Sequence, residues 1–316
     1  MFLAKGKPLD PDFIKFGENG FALKWYAVLI FLGAFLAYKL SQYFGKKRGI
    51  KKEVYSDLFL ICFPLGLVGA RLWFAISNLE AMWNSSSFLF NYLDSVPKIF
   101  NFLANVIAVW EGGLAVQGGV ILGVLSGYIY FRKHKPCSSF FELLDTVAPN
   151  ILIAQVIGRW GNFFNGEVFG ACVDSEQLKW LPDFILNQQI YAPKIYSVCL
   201  GKAAQPLFLY EGIFNFIGFI LITFILRKFW TKGRCHGDLS ALYFVWYGVV
   251  RISLEGLRYQ EYIMEILGIP TSIALSAGFI IAGVAWIALL RYLVYKKNMK
   301  QLIYSPFIKE DENVSE

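Results

Sequence analysis

Seven stretches, near 25 to 43, 57 to 77, 114 to 131, 141 to 158, 206 to 226, 239 to 256 and 272 to 295, each hold roughly the twenty mostly apolar residues that a membrane span requires. The runs are continuous and long, whereas a membrane barrel would show short alternating segments, so helices are expected. With 56% hydrophobic and only 17% charged residues, a soluble globule would be left with more apolar surface than it can hide. The sequence therefore predicts an all-α integral membrane protein, with about seven transmembrane helices around a polar central cavity. One membrane-embedded domain is expected over 1–298, and a charged cytoplasmic tail over 299–316 whose last eight residues are expected to be disordered. No internal repeat is visible.

Basic residues set the expected orientation. Lys46, Lys47, Arg48, Lys51 and Lys52 follow the first stretch, and Arg132, Lys133 and Lys135 follow the third. Arg227, Lys228, Lys232 and Arg234 follow the fifth, and Arg291, Lys296, Lys297 and Lys300 close the seventh. With seven spans all four groups share one side, which places the amino terminus outside and the carboxyl terminus in the cytoplasm. Lys5 and Lys7 lead into Pro8, Asp10, Pro11 and Asp12 rather than an apolar run with a cleavage site, so the first span is expected to be retained. The net charge of +7 lies mostly in the cytoplasmic loops, where it suits anionic lipid headgroups and makes no separate case for nucleic acid. The longer exterior segments, 78–113 and 159–205, are of a length that usually carries function or folds back on the membrane.

The five cysteines show no paired metal-ligand spacing, and His134 and His236 fall in expected cytoplasmic loops, so neither a metal site nor a cofactor is expected. Cys172 and Cys199 share one exterior segment, where a disulfide and two free thiols are both chemically permitted.

Four polar constellations break the apolar pattern. The first is Gly158-Arg159-Trp160-Gly161-Asn162-Phe163-Phe164-Asn165-Gly166-Glu167, directly after the fourth stretch. An arginine at mid-membrane costs roughly 2.5–3.5 kcal/mol on insertion scales, so Arg159 should face a protein interior, water or an anion. Its forked donors suit phosphate, and the glycines let backbone approach a ligand. The plainer reading is a structural turn in which Arg159 pairs with Glu167. The second lies on the sixth stretch, where Tyr247, Arg251, Glu255 and Arg258 share one helical face. There Arg251 and Glu255 either neutralise one another or form a second phosphate ligand with its orienting partner.

The third is Trp110-Glu111-Gly112-Gly113-Leu114-Ala115-Val116-Gln117-Gly118-Gly119, whose glycine pairs favour close helix packing and set Gln117 within reach of a cavity. Gly66, Gly69 and Ala70 before Arg71 repeat that small-residue pattern, again as packing glycines. The fourth is Gln205-Pro206-Leu207-Phe208-Leu209-Tyr210-Glu211, where proline is tolerated at a helix start; Tyr210 and Glu211 could reach inward, but the membrane interface is the expected place for them.

These residues carry a resemblance. Lys24-Trp25-Tyr26, Gly66 to Leu72, Trp110 to Gly113, Gly158 through Gly170, Leu209-Tyr210-Glu211 and Tyr247 to Arg258 together resemble bacterial prolipoprotein diacylglyceryl transferase, from about Asp10 to the seventh stretch. The resemblance implies an inner-membrane enzyme that moves the diacylglyceryl group of phosphatidylglycerol onto the thiol of a lipobox cysteine in a preprolipoprotein, giving a thioether and glycerol phosphate. It implies that Arg159 binds phosphatidylglycerol and that Asn162, Glu167 and Gly170 complete its signature, with Tyr26, Tyr247, Arg251 and Glu255 at further functional positions.

Displacement at the glyceryl carbon leaves negative charge on the departing phosphate, which two permanently protonated guanidinium groups would stabilise. The nucleophile must be a thiolate, and a free cysteine ionises only near about 8.5. The sequence departs from the family here, since many members carry histidine where this chain has Gln117 and Gln205. A neutral amide is no general base. Glu255, Glu167 or the lipid phosphate then takes the proton, or the chain is an impaired relative. The alternative class is a lipid or anion transporter whose arginines bind a headgroup with no bond broken.

Overall fold

The computed structural model describes residues 7–15, 22–84, 97–107, 115–259, 265–266, 269–299 and 302–304. In chain order the helices are α1 (Trp25–Lys46), α2 (Lys52–Ser77), α3 (Leu79–Asn84), α4 (Lys98–Ile107), α5 (Val116–His134), α6 (Phe140–Asn165), α7 (Asp183–Tyr191), α8 (Pro193–Cys199), α9 (Leu207–Phe219), α10 (Arg227–Phe229), α11 (Asp238–Glu255) and α12 (Thr271–Tyr295). A π-helical stretch, Ile220–Leu226, joins α9 to α10 without interruption. Three antiparallel ribbons, β1 (Asp12–Lys15) with β2 (Ala22–Lys24), β3 (Cys172–Val173) with β4 (Ala203–Ala204) and β5 (Glu265–Ile266) with β6 (Ile269–Pro270), are the strand pairs among the described residues.

This is an all-α integral membrane protein. A long helix stands at each of the seven expected stretches, and five of the helical segments, Trp25–Lys46, Lys52–Ser77, Phe140–Asn165, Leu207–Phe229 and Thr271–Tyr295, are long and apolar enough to cross a membrane. The other two differ for a readable reason. α5 ends in Arg132, Lys133 and His134, and α11 carries Asp238, Arg251 and Glu255. Exposed Leu60, Ile76 and Ile281, each about two-thirds open, are tolerable only against lipid.

The chain divides into two compact units, one of Gly49–Phe140 and one of Met1–Arg48 with Phe141–Glu316. In the first, α2 and α5 cross where two glycines meet. A Cβ on Gly69 would lie 2.3 Å from the Gly118 carbonyl oxygen, and one on Gly118 would lie 2.0 Å from that of Gly69. Lipid supplies no hydrophobic drive between helices, so backbone-to-backbone packing of this kind holds them together. The expected packing role of these glycines is thus observed; Glu111, Gly112 and Gly113 lie outside the described residues. The Tyr130 hydroxyl donates to Asp57 at 2.7 Å, and Arg71 donates to the Asn105 carbonyl at 2.5 Å.

The same device recurs in the second unit. Gly33 of α1 abuts the Ala154 carbonyl of α6, Gly218 of α9 receives the Trp246 ring of α11, and Gly248 and Gly283 clear the facing backbones of α12 and α11. Between them Leu152, Phe219, Ile222, Leu239 and Tyr243 form a buried core joining α6, α9 and α11.

One end of this unit is fixed by a buried carboxylate. Asp145 of α6 accepts the Gly237 amide at 2.8 Å, the Ser240 amide at 2.9 Å and the Ser240 hydroxyl at 2.8 Å, which ties α6 to the start of α11. Arg291 of α12 donates to both oxygens of Asp238, at 3.1 and 3.0 Å. Arg48 pairs with Glu142 at 2.7 Å. The Tyr304 ring lies under Arg234 at 3.4 Å and near Arg48 at 4.7 Å, and Leu302 accepts the His236 amide, so 302–304 packs on this end rather than trailing free. Burial holds the His236 imidazole below its ordinary value, which leaves it neutral at pH 7. The 309–316 stretch expected to be disordered lies outside the described residues.

Candidate active site

The fourth helix runs past its expected end at 158, through Gly158 and Gly161, to Asn165. Glycine costs a lone helix about 1 kcal/mol, and here tertiary packing overrides that preference. A Cβ on Gly161 would sit 2.8 Å from the Tyr26 ring, so its bareness is what admits α1. Trp25 stacks on Phe164 at 5.1 Å beside it. Arg159 therefore projects from a helix, two turns before its end, and not from a loop.

Its partner is Glu211, not Glu167. Arg159 forms an ion pair with one oxygen of Glu211, and Arg251 Nη1 bonds the other at 3.1 Å. Arg251 Nη2 stands 3.7 Å from Glu255, whose other oxygen is 3.6 Å from Arg258 Nη1. Helices α6, α9 and α11, with Arg258 just past the end of α11, thus deliver five charges to one place. The two carboxylate side chains are 3% exposed, whereas those of Arg159 and Arg251 are 17% and 16% exposed. The arginine side chains are thus less fully enclosed than the carboxylates they pair with. Three arginines against two carboxylates leave one positive charge over, which matches one anion.

The expected position of Glu211 at the membrane interface is therefore corrected: it is the buried hub. The signal available was a lone carboxylate one turn into an otherwise apolar helix, which demands partners. Four residues on, Asn215 is fully buried and extends the polar face of α9.

The remaining expected residues fall as follows. The Tyr247 ring stacks on Tyr243 at 6.3 Å, one turn before Arg251 on α11. Tyr26 packs its ring on Gly161 of α6, two residues past Arg159. Glu167 pairs with Lys194 of α8, a partner with no signature in the sequence. Asn162 gives its carbonyl to the Glu167 amide at 2.9 Å, closing the turn in which Gly166 takes φ +61°. Gln117 belongs to the other compact unit, in the first turn of α5.

Gly170 is a backbone junction. Its amide donates to the Gln205 carbonyl at 2.9 Å, it bridges to Arg258, and a Cβ would come within 2.7 Å of the Leu257 carbonyl oxygen. The position joins the strands leading from α6, into α9 and out of α11, the three elements that carry the charges. Next to it β3 and β4 pair, and Cys172 is disulfide-bonded to Cys199, which settles the alternatives left open above. Cys172→Ser is expected to destabilise the protein by about 2–4 kcal/mol, read as a lower Tm that reductant reproduces in the wild type and does not change in the variant. Among the described residues no group of His, Cys, Asp and Glu is arranged to hold a metal ion.

The fold and site define a multi-pass membrane protein built around a buried arginine–carboxylate centre with one positive charge in excess. Residues 12–289 match the family model described as Prolipoprotein diacylglyceryl transferase, and the chain belongs to that family. It is 36% identical over 283 residues (90% of this chain, 93% of the relative) to a phosphatidylglycerol-prolipoprotein diacylglyceryl transferase of Streptococcus suis strain 05ZYH33. It is 36% identical over 305 residues (96% and 100%) to one of Streptococcus pneumoniae strain Taiwan19F-14, and 37% identical over 257 residues (81% and 78%) to one of Halalkalibacterium halodurans.

Proposed function

We propose that this chain transfers the diacylglyceryl group of phosphatidylglycerol to the thiol of a lipobox cysteine in a preprolipoprotein and releases glycerol phosphate. The observation that carries the reading is the cluster of Arg159, Arg251 and Arg258 around Glu211 and Glu255, one positive charge in excess and less enclosed at the arginines. A phosphodiester carries one negative charge and balances that excess. Family membership and the names of the relatives support the reaction.

In this reading Arg159 and Arg251 hold the lipid phosphate. Thiolate sulfur attacks the glyceryl carbon, the carbon–oxygen bond to phosphate breaks, and the guanidinium groups stabilise the charge that gathers on the leaving oxygen. The same positive charge favours the thiolate over the thiol. Glu255 is buried, with 3% of its side chain exposed, whereas Glu167, paired with Lys194, has 37% of its side chain exposed and is the more accessible of the two carboxylates to accept the thiol proton; the lipid phosphate is the alternative. Asn162, Tyr26 and Tyr247 orient the reacting groups, and Gly170 holds their supports together. We place the protein in the bacterial inner membrane with its amino terminus outside, 1–298 as the transferase domain and 299–316 as the charged tail.

The test is purified protein with phosphatidylglycerol and a lipobox peptide. A thioether-linked lipidated peptide is expected. A free thiol after prolonged incubation, with lipid still bound, would make the chain a lipid-binding or transporting protein instead.

A further inference from the structure

We propose that Glu211 is the positioning residue that sets the two guanidinium forks at a common anion seat, an inference that rests on the transferase reading. Arg159 and Arg251 approach different oxygens of this one carboxylate. Each guanidinium has five N–H donors in a fixed fork, so the bridge uses one nitrogen of each; Arg251 also leans on Glu255 through Nη2 at 3.7 Å, and the N–H donors not aimed at carboxylates remain for phosphate. Two bare guanidinium groups side by side repel, and a carboxylate between them reverses that penalty. At 3% exposure Glu211 is more enclosed than the arginines and cannot itself meet a thiol or a lipid, which separates positioning from catalysis.

The carboxylate is in turn well placed to act as a reference point. It sits in the first turns of α9, and Gln205 just before that helix is pinned on both sides, donating its amide to the Ala171 carbonyl at 3.1 Å and accepting the Gly170 amide at 2.9 Å. The seat is thus assembled from three helices, and among the described residues only Glu211 touches both of the others' arginines. No uncharged residue reproduces this. Glutamine offers one acceptor oxygen and would turn an N–H₂ toward the second guanidinium. Aspartate is one methylene shorter and reaches one arginine at a time.

The experiment compares wild type, Glu211→Gln and Glu211→Ala in the lipobox-peptide assay, with phosphatidylglycerol retention after detergent exchange measured separately and folding followed by Tm. Glu211→Gln is expected to raise KM for phosphatidylglycerol and lower kcat/KM by about 10²-fold, the scale of a misplacement of about 1 Å. Acetate, which fits the space left in Glu211→Ala, is expected to restore part of its activity and to leave the wild type unchanged. Wild-type KM and kcat in Glu211→Gln would overturn the inference, as would a folded, impaired Glu211→Ala that acetate does not improve. If the wild type retains the lipid but makes no lipidated peptide, the transferase reading falls, and lipid retention by the two variants still decides the role of Glu211.

Discussion

Arg251→Gln is expected to abolish most transfer, lowering kcat/KM by about 10³-fold or more, while the protein still folds and inserts. The magnitude follows from removing a charge that acts where negative charge develops, in a site with little water to compensate. Arg159→Lys should fail nearly as badly although the charge is kept. An ammonium is a point charge without the planar fork, so it can meet Glu211 or a phosphate oxygen but cannot span both. The check is initial rate against phosphatidylglycerol concentration for each variant, alongside Tm. A loss confined to KM would mean that the arginines only bind lipid, and a loss shared between kcat and KM is the expected result.

Asp145→Ala should be the most destabilising single change in the unit that carries the site. The carboxylate holds the Gly237 amide and both the amide and hydroxyl of Ser240, and Arg227 donates to the Asp145 carbonyl at 2.6 Å close by. Removing it orphans three buried donors at about 1–3 kcal/mol each, so a loss of roughly 3–5 kcal/mol is expected. Because α6 and α11 also carry Arg159 and Arg251 at their other ends, loosening this anchor should lower activity before global unfolding. Thermal inactivation of transfer preceding the calorimetric transition in Asp145→Ala would show it; coincident transitions, as in the wild type, would mean that the anchor contributes stability alone.

Much of this was legible in the sequence because lipid leaves few choices. The seven apolar runs became seven long helices, and the glycines at 69 and 118 packed helix on helix, since a bare Cα is what close crossing requires. The stripe Tyr247, Arg251, Glu255 and Arg258 kept one face because helical periodicity is a local property. What local pattern could not give was partnership. Glu167 lies eight residues from Arg159 and pairs instead with Lys194, while Glu211 lies 52 residues away and bridges both arginines. Helix ends were misjudged for the same reason, because Gly161 is helical only by virtue of Tyr26 packing on it. Two short helices and a disulfide-braced ribbon filled the segment 159–205, where alternation and periodicity are too brief to read.

A double-mutant cycle on phosphatidylglycerol affinity, with Arg159→Gln, Arg251→Gln and the pair together in lipid nanodiscs, is the sharpest measurement available. If one phosphate sits across both guanidinium groups, the second substitution costs little once the first is made, and the cycle departs from additivity by about 1 kcal/mol or more. Strict additivity, with each single variant losing its own independent share of affinity, would mean that the two arginines serve different ligands and would contradict the shared seat.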